Sequence, residues 1–317
     1  MENSQRVPKK VVDFVLAAYL ISSVDEYTTP IWKYAFNDHP YSSLARIAAE
    51  DLRGVVSAAT IPFQLEQDAV HQDRFRRFLT SERILALEKK PSSPEEEAIS
   101  EVRCRERAQA RMAEYIASTE GHEDIIDSII LGLRRHLDSS EILFAAEEIL
   151  FQAQVAGWSA FESFSREFII EWLNRNPSQA IDLIGDPSVQ KLIGSKALSI
   201  SDLSDFGFDL TRSMGNIVFS KAKFDSFHPM KKVFKILFDN PKLQLAFGPQ
   251  LYELNQNRHL IVHRRGIVDT EYLKNTGKEL EPGKRLYLTG KDTAKCLFAV
   301  QKAIIAILEA STNAASE

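Results

Sequence analysis

One long segment, residues 138–176, limits the folds open to this chain more than any other. Large apolar side chains recur along it at the three- and four-residue spacing that gathers them on one face of an α-helix. These side chains are Ile142, Ile149, Val155, Trp158, Phe161, Phe164, Phe168 and Trp172. An aromatic face of this kind is more often a packed core than a platform on which nucleic-acid bases stack. We therefore expect a single long helix at the centre of a helical bundle.

The composition of the whole chain agrees with long helices. Only 13 glycines and 12 prolines occur among 317 residues, and these are the residues that most often interrupt helices. The chain is also long for one helical core. We predict an all-α protein with an N-terminal helical region of unassigned role, 1–137, and a C-terminal helical domain, 138–317.

Local signals predict where several helices begin. Ser93, with Pro94 at the first helical position and Glu96 three residues on, forms a capping box. Earlier in the chain, one helix is expected to start at Ser42 or Ser43, and a separate helix is expected over 63–87.

The helix that follows Ser93 carries a charged face. Arg103, Arg107 and Arg111 stand four residues apart, and glutamates are interleaved with them. This spacing lets opposite charges meet across helical turns. We interpret the face as a solvated surface with ion pairs rather than as a phosphate-binding surface.

The charge balance excludes a protein with general affinity for nucleic acid. The formal net charge is −5, and only the stretch 251–295 has a modest basic excess, with nine Lys or Arg against six Asp or Glu. Cys104 and Cys296 lie far apart and match no metal or redox spacing, so we expect two reduced thiols in a cytosolic protein.

The apolar run from Val11 to Val24 is better explained as a first amphipathic helix than as a signal peptide. It follows two lysines, but it contains Asp13 and has no small-residue cleavage site. It is also too short to span a bilayer. We expect a cytoplasmic protein with no membrane partner.

An arginine lies on the apolar face of a later helix. At 100° per residue, Leu251, Leu254, Ile261 and Val262 form one stripe, and Arg258 lies in the middle of it. Burying a guanidinium is costly unless something pairs with it. Glu162 and Glu167 of the long aromatic helix are candidate partners.

Two histidines flank this arginine. His259 and His263 lie one turn apart at the edge of the stripe, and Gly266 is expected to end the helix in a left-handed conformation. Cleavage of RNA without a metal needs a base for the 2′-hydroxyl, an acid for the leaving oxygen and a cation for the developing negative charge. Histidine suits the first two roles and arginine the third.

The spacing of Arg258 and His263 also indicates how an RNA-cleaving site of this kind is assembled. Residues five apart on a helix, such as Arg258 and His263, point about 140° away from each other. One copy therefore converges poorly on one phosphate, whereas two copies across a symmetric dimer would place two arginines and two histidines in one cleft.

These residues resemble the signature of the HEPN superfamily (higher eukaryotes and prokaryotes nucleotide-binding), in which a polar residue follows an arginine and four to six residues separate the arginine from a histidine. Four residues separate Arg258 from His263, and His259 is the polar residue. The flanking stretch 257–269, with Tyr272-Leu273 and Thr276-Gly277, is similar to a bacterial branch of the superfamily. The resemblance covers Glu141 to Ala310 and implies a four-helix bundle.

The resemblance implies a metal-independent endoribonuclease that acts as a homodimer, often as a toxin or an anti-phage defence effector. Arg258 and His263 would be catalytic, His259 would support them, and we assign contacts with the RNA substrate to Arg264 and Arg265. No cofactor is expected, and an antitoxin or another defence-system protein is a possible partner. Some toxins of the superfamily carry a tyrosine two residues after the histidine, which the antitoxin modifies. Arg265 occupies that position, so the resemblance does not extend to this regulation.

Two alternatives remain open from the sequence. His259 and His263 have the spacing of metal ligands on a helix, but no acidic residue or third ligand is evident nearby. Arg258 is also compatible with a structural role, in which case the domain is a non-catalytic helical protein-interaction module.

Overall fold

The computed structural model describes residues 7–36, 39–87, 93–193, 200–219, 222 and 226–314. Within these ranges the regular structure is helical, apart from one isolated antiparallel bridge between Ile267 and Arg285, so the all-α prediction is confirmed. The helices are α1 (Lys9–Ala18), α2 (Val24–Ala35), α3 (Ser42–Leu87), α4 (Pro94–Ala117), α5 (Thr119–His136), α6 (Ser140–Arg175), a 3-10 turn (Pro177–Gln179), α7 (Ala180–Gly185), α8 (Pro187–Ile193), α9 (Ile200–Asp205), α10 (Met214–Phe219), α11 (Phe227–Leu237), α12 (Pro241–Ala246), α13 (Pro249–Arg264), α14 (Thr270–Thr276) and α15 (Gly290–Ala314). No helix in the described ranges is both long and apolar enough to cross a membrane.

The predicted start of α4, with Ser93 as its N-cap, is confirmed. The backbone N–H of Glu96 donates to Ser93 Oγ at 3.2 Å, and Pro94 is the first helical residue. By contrast, the two helices expected over 42–52 and 63–87 are one continuous α3, which passes through Pro62. A proline in a helix interior is costly because it removes a backbone hydrogen bond. The continuity of α3 is therefore a correction to the sequence-based prediction.

The basic face of α4 is paired with carboxylates. Arg111 lies 2.9 Å and Arg107 3.9 Å from the carboxylate of Glu82, which is nearly buried on α3. Glu101 joins Arg83 and Arg105, and these two arginines lower the pKa of the Glu101 carboxyl to about 2. The interpretation of this face as an ion-paired surface is confirmed for Arg107 and Arg111.

The chain forms two compact units, and these differ from the predicted division at 137/138. One unit contains the described residues of Met1–Ile21 and Thr60–Glu147, and the other contains those of Ser22–Ala59 and Glu148–Glu317. The described residues of 22–59 join the C-terminal unit through long-range contacts. The Tyr27 ring stacks on Phe298 at 4.2 Å, and Gln301 Nε2 donates to the carbonyl oxygen of Tyr27 at 2.8 Å.

The first unit has an aliphatic core. Its buried members come from α1, α5 and the first turns of α6, and they are Val15, Ala18, Tyr19, Ile125, Ile129, Ile130, Leu133, Leu137 and Ala146. Cys104 of α4 is free and buried in a second, smaller cluster with Leu79 and Ala108.

The second unit is built around α6, and its core is aromatic. Trp158, Phe161, Phe168 and Trp172 are buried along α6, as the sequence predicts for a core rather than for a stacking platform. Rings from the shorter helices meet them, since Phe161 lies 5.7 Å from Phe247 and Trp172 lies 4.6 Å from Phe238 between ring centroids. Gly157 allows a close approach, because a Cβ there would lie 2.6 Å from Leu297 of α15.

We predict that Gly215→Ala destabilises the protein, because a Cβ at this position would lie 2.1 Å from the backbone oxygen of Ile170 in α6. A backbone clash in a packed core costs about 1–3 kcal/mol. The matched control is Gly54→Ala in α3, where nothing lies within 4 Å of the added Cβ. This control should raise stability by about 0.5–1 kcal/mol, because alanine is the better helix former. Chemical denaturation of both variants checks the prediction, which fails if the two changes have the same sign.

Candidate functional site

Helix α13 carries every residue that the sequence predicts for catalysis, and its buried face fixes how it lies. Leu251, Leu254, Leu260 and Ile261 are buried along it. The last two belong to a cluster with Phe151 of α6, Val268, Tyr272, Leu286 and Leu288. Val262 was expected on this face, but it is 47% exposed, so its placement in the apolar stripe is wrong.

A chain of buried polar side chains ties α13 to three other helices. Asn257 is almost fully buried, and its Nδ2 donates to Gln154 Oε1 of α6 at 3.2 Å. Its Oδ1 accepts from the Tyr272 hydroxyl of α14 at 2.7 Å. Gln154 Nε2 in turn donates to Thr293 Oγ1 of α15 at 3.3 Å. Satisfied buried polar groups of this kind fix the relative positions of the helices that carry them.

Arg258 is half-buried and unpaired within the described chain. Its Nε is buried with no hydrogen-bond partner there. The expected pairing with Glu162 or Glu167 is wrong, because no ion pair joins Arg258 to either of these described residues. The Glu162 carboxylate instead accepts from Trp158 Nε1 on its own helix at 3.1 Å. A buried guanidinium nitrogen without a hydrogen bond costs about 1–3 kcal/mol, and Arg74 and Arg166 share this feature with Arg258.

The two histidines of α13 lie side by side on its exposed surface. Their ring centroids are 4.5 Å apart with the planes inclined by 52°, as expected for residues one turn apart. In the described part of the chain, no group of three or more His, Cys, Asp or Glu is placed to hold a metal ion. Arg258 and His263 are five residues apart on a regular helix, so their side chains leave it about 140° apart.

The end of α13 has two successive residues in the left-handed region. Arg265 has φ 53°, and Gly266, the predicted helix stop, has φ 75°. Gly266 is doubly constrained, because a Cβ there would also lie 2.4 Å from the Phe151 ring. Arg265 lacks the conformational freedom of glycine, and an arginine in the left-handed region is strained by about 1–2 kcal/mol. Arg264 and Arg265 are both exposed, and Arg264 Nε lies 3.5 Å from Asp269 Oδ2.

A cavity of about 290 Å³ opens beside His259. It is lined by residues of α11, α13 and α14, including His228, which the following proline favours as a cap or turn residue rather than as a ligand. A histidine at a helix start followed by proline gives no local sign that it faces a cavity. Asn257, Gln154 and Tyr272 were also missed, although an asparagine on the buried face of α13 is a detectable signal.

Comparisons with known proteins give no relative for this chain. No protein-family model, no curated protein and no solved structure matches it significantly.

We predict that Asn257→Ala destabilises the protein by about 2–3 kcal/mol, because it leaves the buried Tyr272 hydroxyl and the Gln154 amide without their shared partner. The matched control is Asn275→Ala, which removes an exposed amide that donates to Gln256 at 3.0 Å. The control should change the free energy of unfolding by less than about 0.5 kcal/mol. Denaturant titration of both variants decides the matter, and equal losses would contradict the role given to the buried chain.

Proposed function

We propose that the C-terminal unit is a HEPN-type bundle and that the protein is a metal-independent endoribonuclease. The observation that carries this proposal is Arg258, a half-buried arginine whose Nε lacks a partner within the described chain, one residue before an exposed pair of histidines. The signature residues Arg258, His259 and His263 are all on α13. An arginine beside two exposed histidines offers a fixed cation next to two groups that can transfer protons.

The proposed chemistry is attack of the ribose 2′-oxygen on the neighbouring phosphorus. His263 takes the 2′-hydroxyl proton, and the bond from phosphorus to the 5′-oxygen breaks as that oxygen receives a proton from the second copy of His263. Arg258 stabilises the charge that develops on the phosphate oxygens. Arg264 and Arg265 are exposed at the helix end and would hold the flanking phosphates. His259 supports His263 through their ring contact.

The proposed site is shared between two protomers. Arg258 and His263 leave α13 about 140° apart, so each needs its counterpart from another copy. Val262 is 47% exposed four residues after Arg258 and lies on the same side of the helix. A homodimer in which this side of α13 faces its symmetry mate would cover Val262 and give Arg258 a setting in which it binds phosphate. In a cell, such an activity suits a toxin or an anti-phage effector, held in check by a partner protein.

We expect the purified protein to cleave single-stranded RNA in the presence of EDTA, leaving 2′,3′-cyclic phosphate and 5′-hydroxyl ends. His263→Ala should lower the rate about 10²–10⁴-fold, and Arg258→Ala should lower it about 10²–10³-fold. Arg258→Lys tests the planar fork, since it keeps the charge and loses bidentate contact. His122→Ala, an exposed histidine of α5, is the matched control and should leave the rate unchanged. Equal cleavage by the wild type and the His263 variant would reject the proposal.

Co-expression of the wild-type chain with His263→Ala tests whether the site is shared. The proposed chemistry needs His263 from both copies, one as the base and one as the acid, so a dimer of one wild-type chain and one His263→Ala chain should be about as slow as the His263→Ala homodimer. If the site lay within one chain, the wild-type copy would keep about half of the wild-type rate. Cleavage assays on differently tagged, doubly purified dimers measure this, and a mixed dimer with about half of the wild-type rate would rule out sharing.

A non-catalytic interaction module is the second candidate. The same surface favours it, because the exposed Val262 and the unpartnered Arg258 also suit docking of another protein. This candidate requires that assembly is lost in Arg258→Ala and kept in His263→Ala, with no RNA cleavage by any form. Light scattering on the variants used above separates the two candidates.

A further inference from the structure

The cavity beside His259 has features that the proposed cleavage reaction does not use. It lies in the second unit among α11, α13 and α14 and has a volume of about 290 Å³. Helix α13 contributes Tyr252, Asn255, Gln256 and His259, which are spaced as residues on one helical face. His263 continues that face by one turn, with its ring 4.5 Å from that of His259. A ligand in the cavity would therefore lie directly along α13 from His263.

The carboxylates of the cavity disfavour phosphate as its ligand, although His228 and His259 also line it. None of the described residues that line it is Lys or Arg, whereas Asp269 and Glu271 are both carboxylates. Asp269 is already engaged, because its Oδ1 accepts from the Tyr272 N–H at 2.8 Å and its Oδ2 faces Arg264. Glu271 is exposed and makes no ion pair or side-chain hydrogen bond with another described residue. The group available to a ligand is thus the Glu271 carboxylate, a negatively charged hydrogen-bond acceptor.

One wall of the cavity is aromatic. The ring of His228 lies 5.1 Å from that of Tyr252, and Phe227 lies 5.3 Å from Tyr252, between centroids. Phe227 is buried behind this wall, whereas His228 is exposed and Tyr252 half-buried. Accessible aromatic rings are the surfaces on which unstacked bases of single-stranded RNA bind. A flat, neutral ring is therefore the ligand that suits this wall.

A chain of amides borders the same space. Asn275 Nδ2 donates to Gln256 Oε1 at 3.0 Å, and Gln256 Nε2 donates to Asn255 Oδ1 at 3.3 Å. These bonds orient the amides of α13 and α14 that line the cavity, so its polar groups are held in place before a ligand arrives.

We propose that this cavity binds a guanine base of the RNA, stacked on the ring of His228 or Tyr252 and held by the Glu271 carboxylate. Guanine offers two adjacent donors, N1–H and the N2 amino group, which match the two oxygens of one carboxylate. Uracil offers one donor between two acceptors, which a carboxylate repels. Adenine and cytosine each pair a donor with an acceptor. The proposal rests on the proposed function only in that the base belongs to a substrate of the neighbouring histidines.

Binding of free nucleosides tests the cavity without reference to cleavage. Isothermal titration of the full chain with guanosine, adenosine, cytidine and uridine should give the tightest binding for guanosine. Glu271→Gln should weaken guanosine binding by about tenfold or more and reduce the preference over adenosine, since it removes the charge that favours two donors. Glu279→Gln, an exposed glutamate just beyond α14, is the matched control and should change nothing. His228→Ala should weaken all four nucleosides about equally through lost stacking.

The outcomes are distinct. Any of three results would overturn the guanine proposal. Guanosine would bind no tighter than cytidine, Glu271→Gln would leave guanosine binding unaltered, or inorganic phosphate would displace guanosine. If guanosine binds as expected but no RNA is cut, the proposed nuclease fails and the cavity stands. If RNA is cut without preference for guanine and guanosine does not bind, the cavity proposal fails and the nuclease stands. Mapping the cleavage positions in an RNA with isolated guanines supplies the second readout. Cuts next to guanine that disappear in Glu271→Gln would support both the nuclease proposal and the cavity proposal.

Discussion

The hydrogen-bonded chain from Thr293 through Gln154 and Asn257 to the Tyr272 hydroxyl is the interaction on which the rest of the second unit depends. An aromatic and aliphatic core alone tolerates small rotations of a helix, because apolar contacts have little direction. Buried amides do not tolerate them, since each lost bond leaves an unsatisfied group. The chain therefore fixes the rotation of α13 about its own axis.

That rotation determines the surroundings of Arg258, His259 and His263. With Asn257 turned inward, the next residue, Arg258, lies half in the protein, and His259 and His263 face outward. The arginine and the second histidine then point in different directions, while the histidines share a face with the cavity. The separation of the proposed dimer face from the proposed base site follows from the register of one helix. Strain at Arg265 is confined to the same helix end, where cations are presented to solvent.

Features that depend on local sequence were predictable. The aromatic face of α6, the N-cap at Ser93 and the glycine stop at Gly266 follow from periodicity and backbone preference alone. The limits of the two units did not follow, because Tyr27 joins the C-terminal unit through Phe298, 271 positions later. The lack of a partner for Arg258 and the exposure of Val262 were missed for the same reason. Both depend on how α13 is rotated, and distant residues decide that rotation.

The face of α13 that runs from Tyr252 to His263 has a consequence for how such a protein can diverge. Inserting or deleting one residue within this face would turn the histidines about 100° away from the cavity, so single-residue insertions and deletions would not be tolerated there. On helix α14, Tyr272 is held by its hydrogen bond to Asn257, but Glu271 and Asn275 are exposed and can be exchanged without moving α13. Over evolutionary time, the preference of the proposed base site can therefore change through α14 while α13 keeps its spacing.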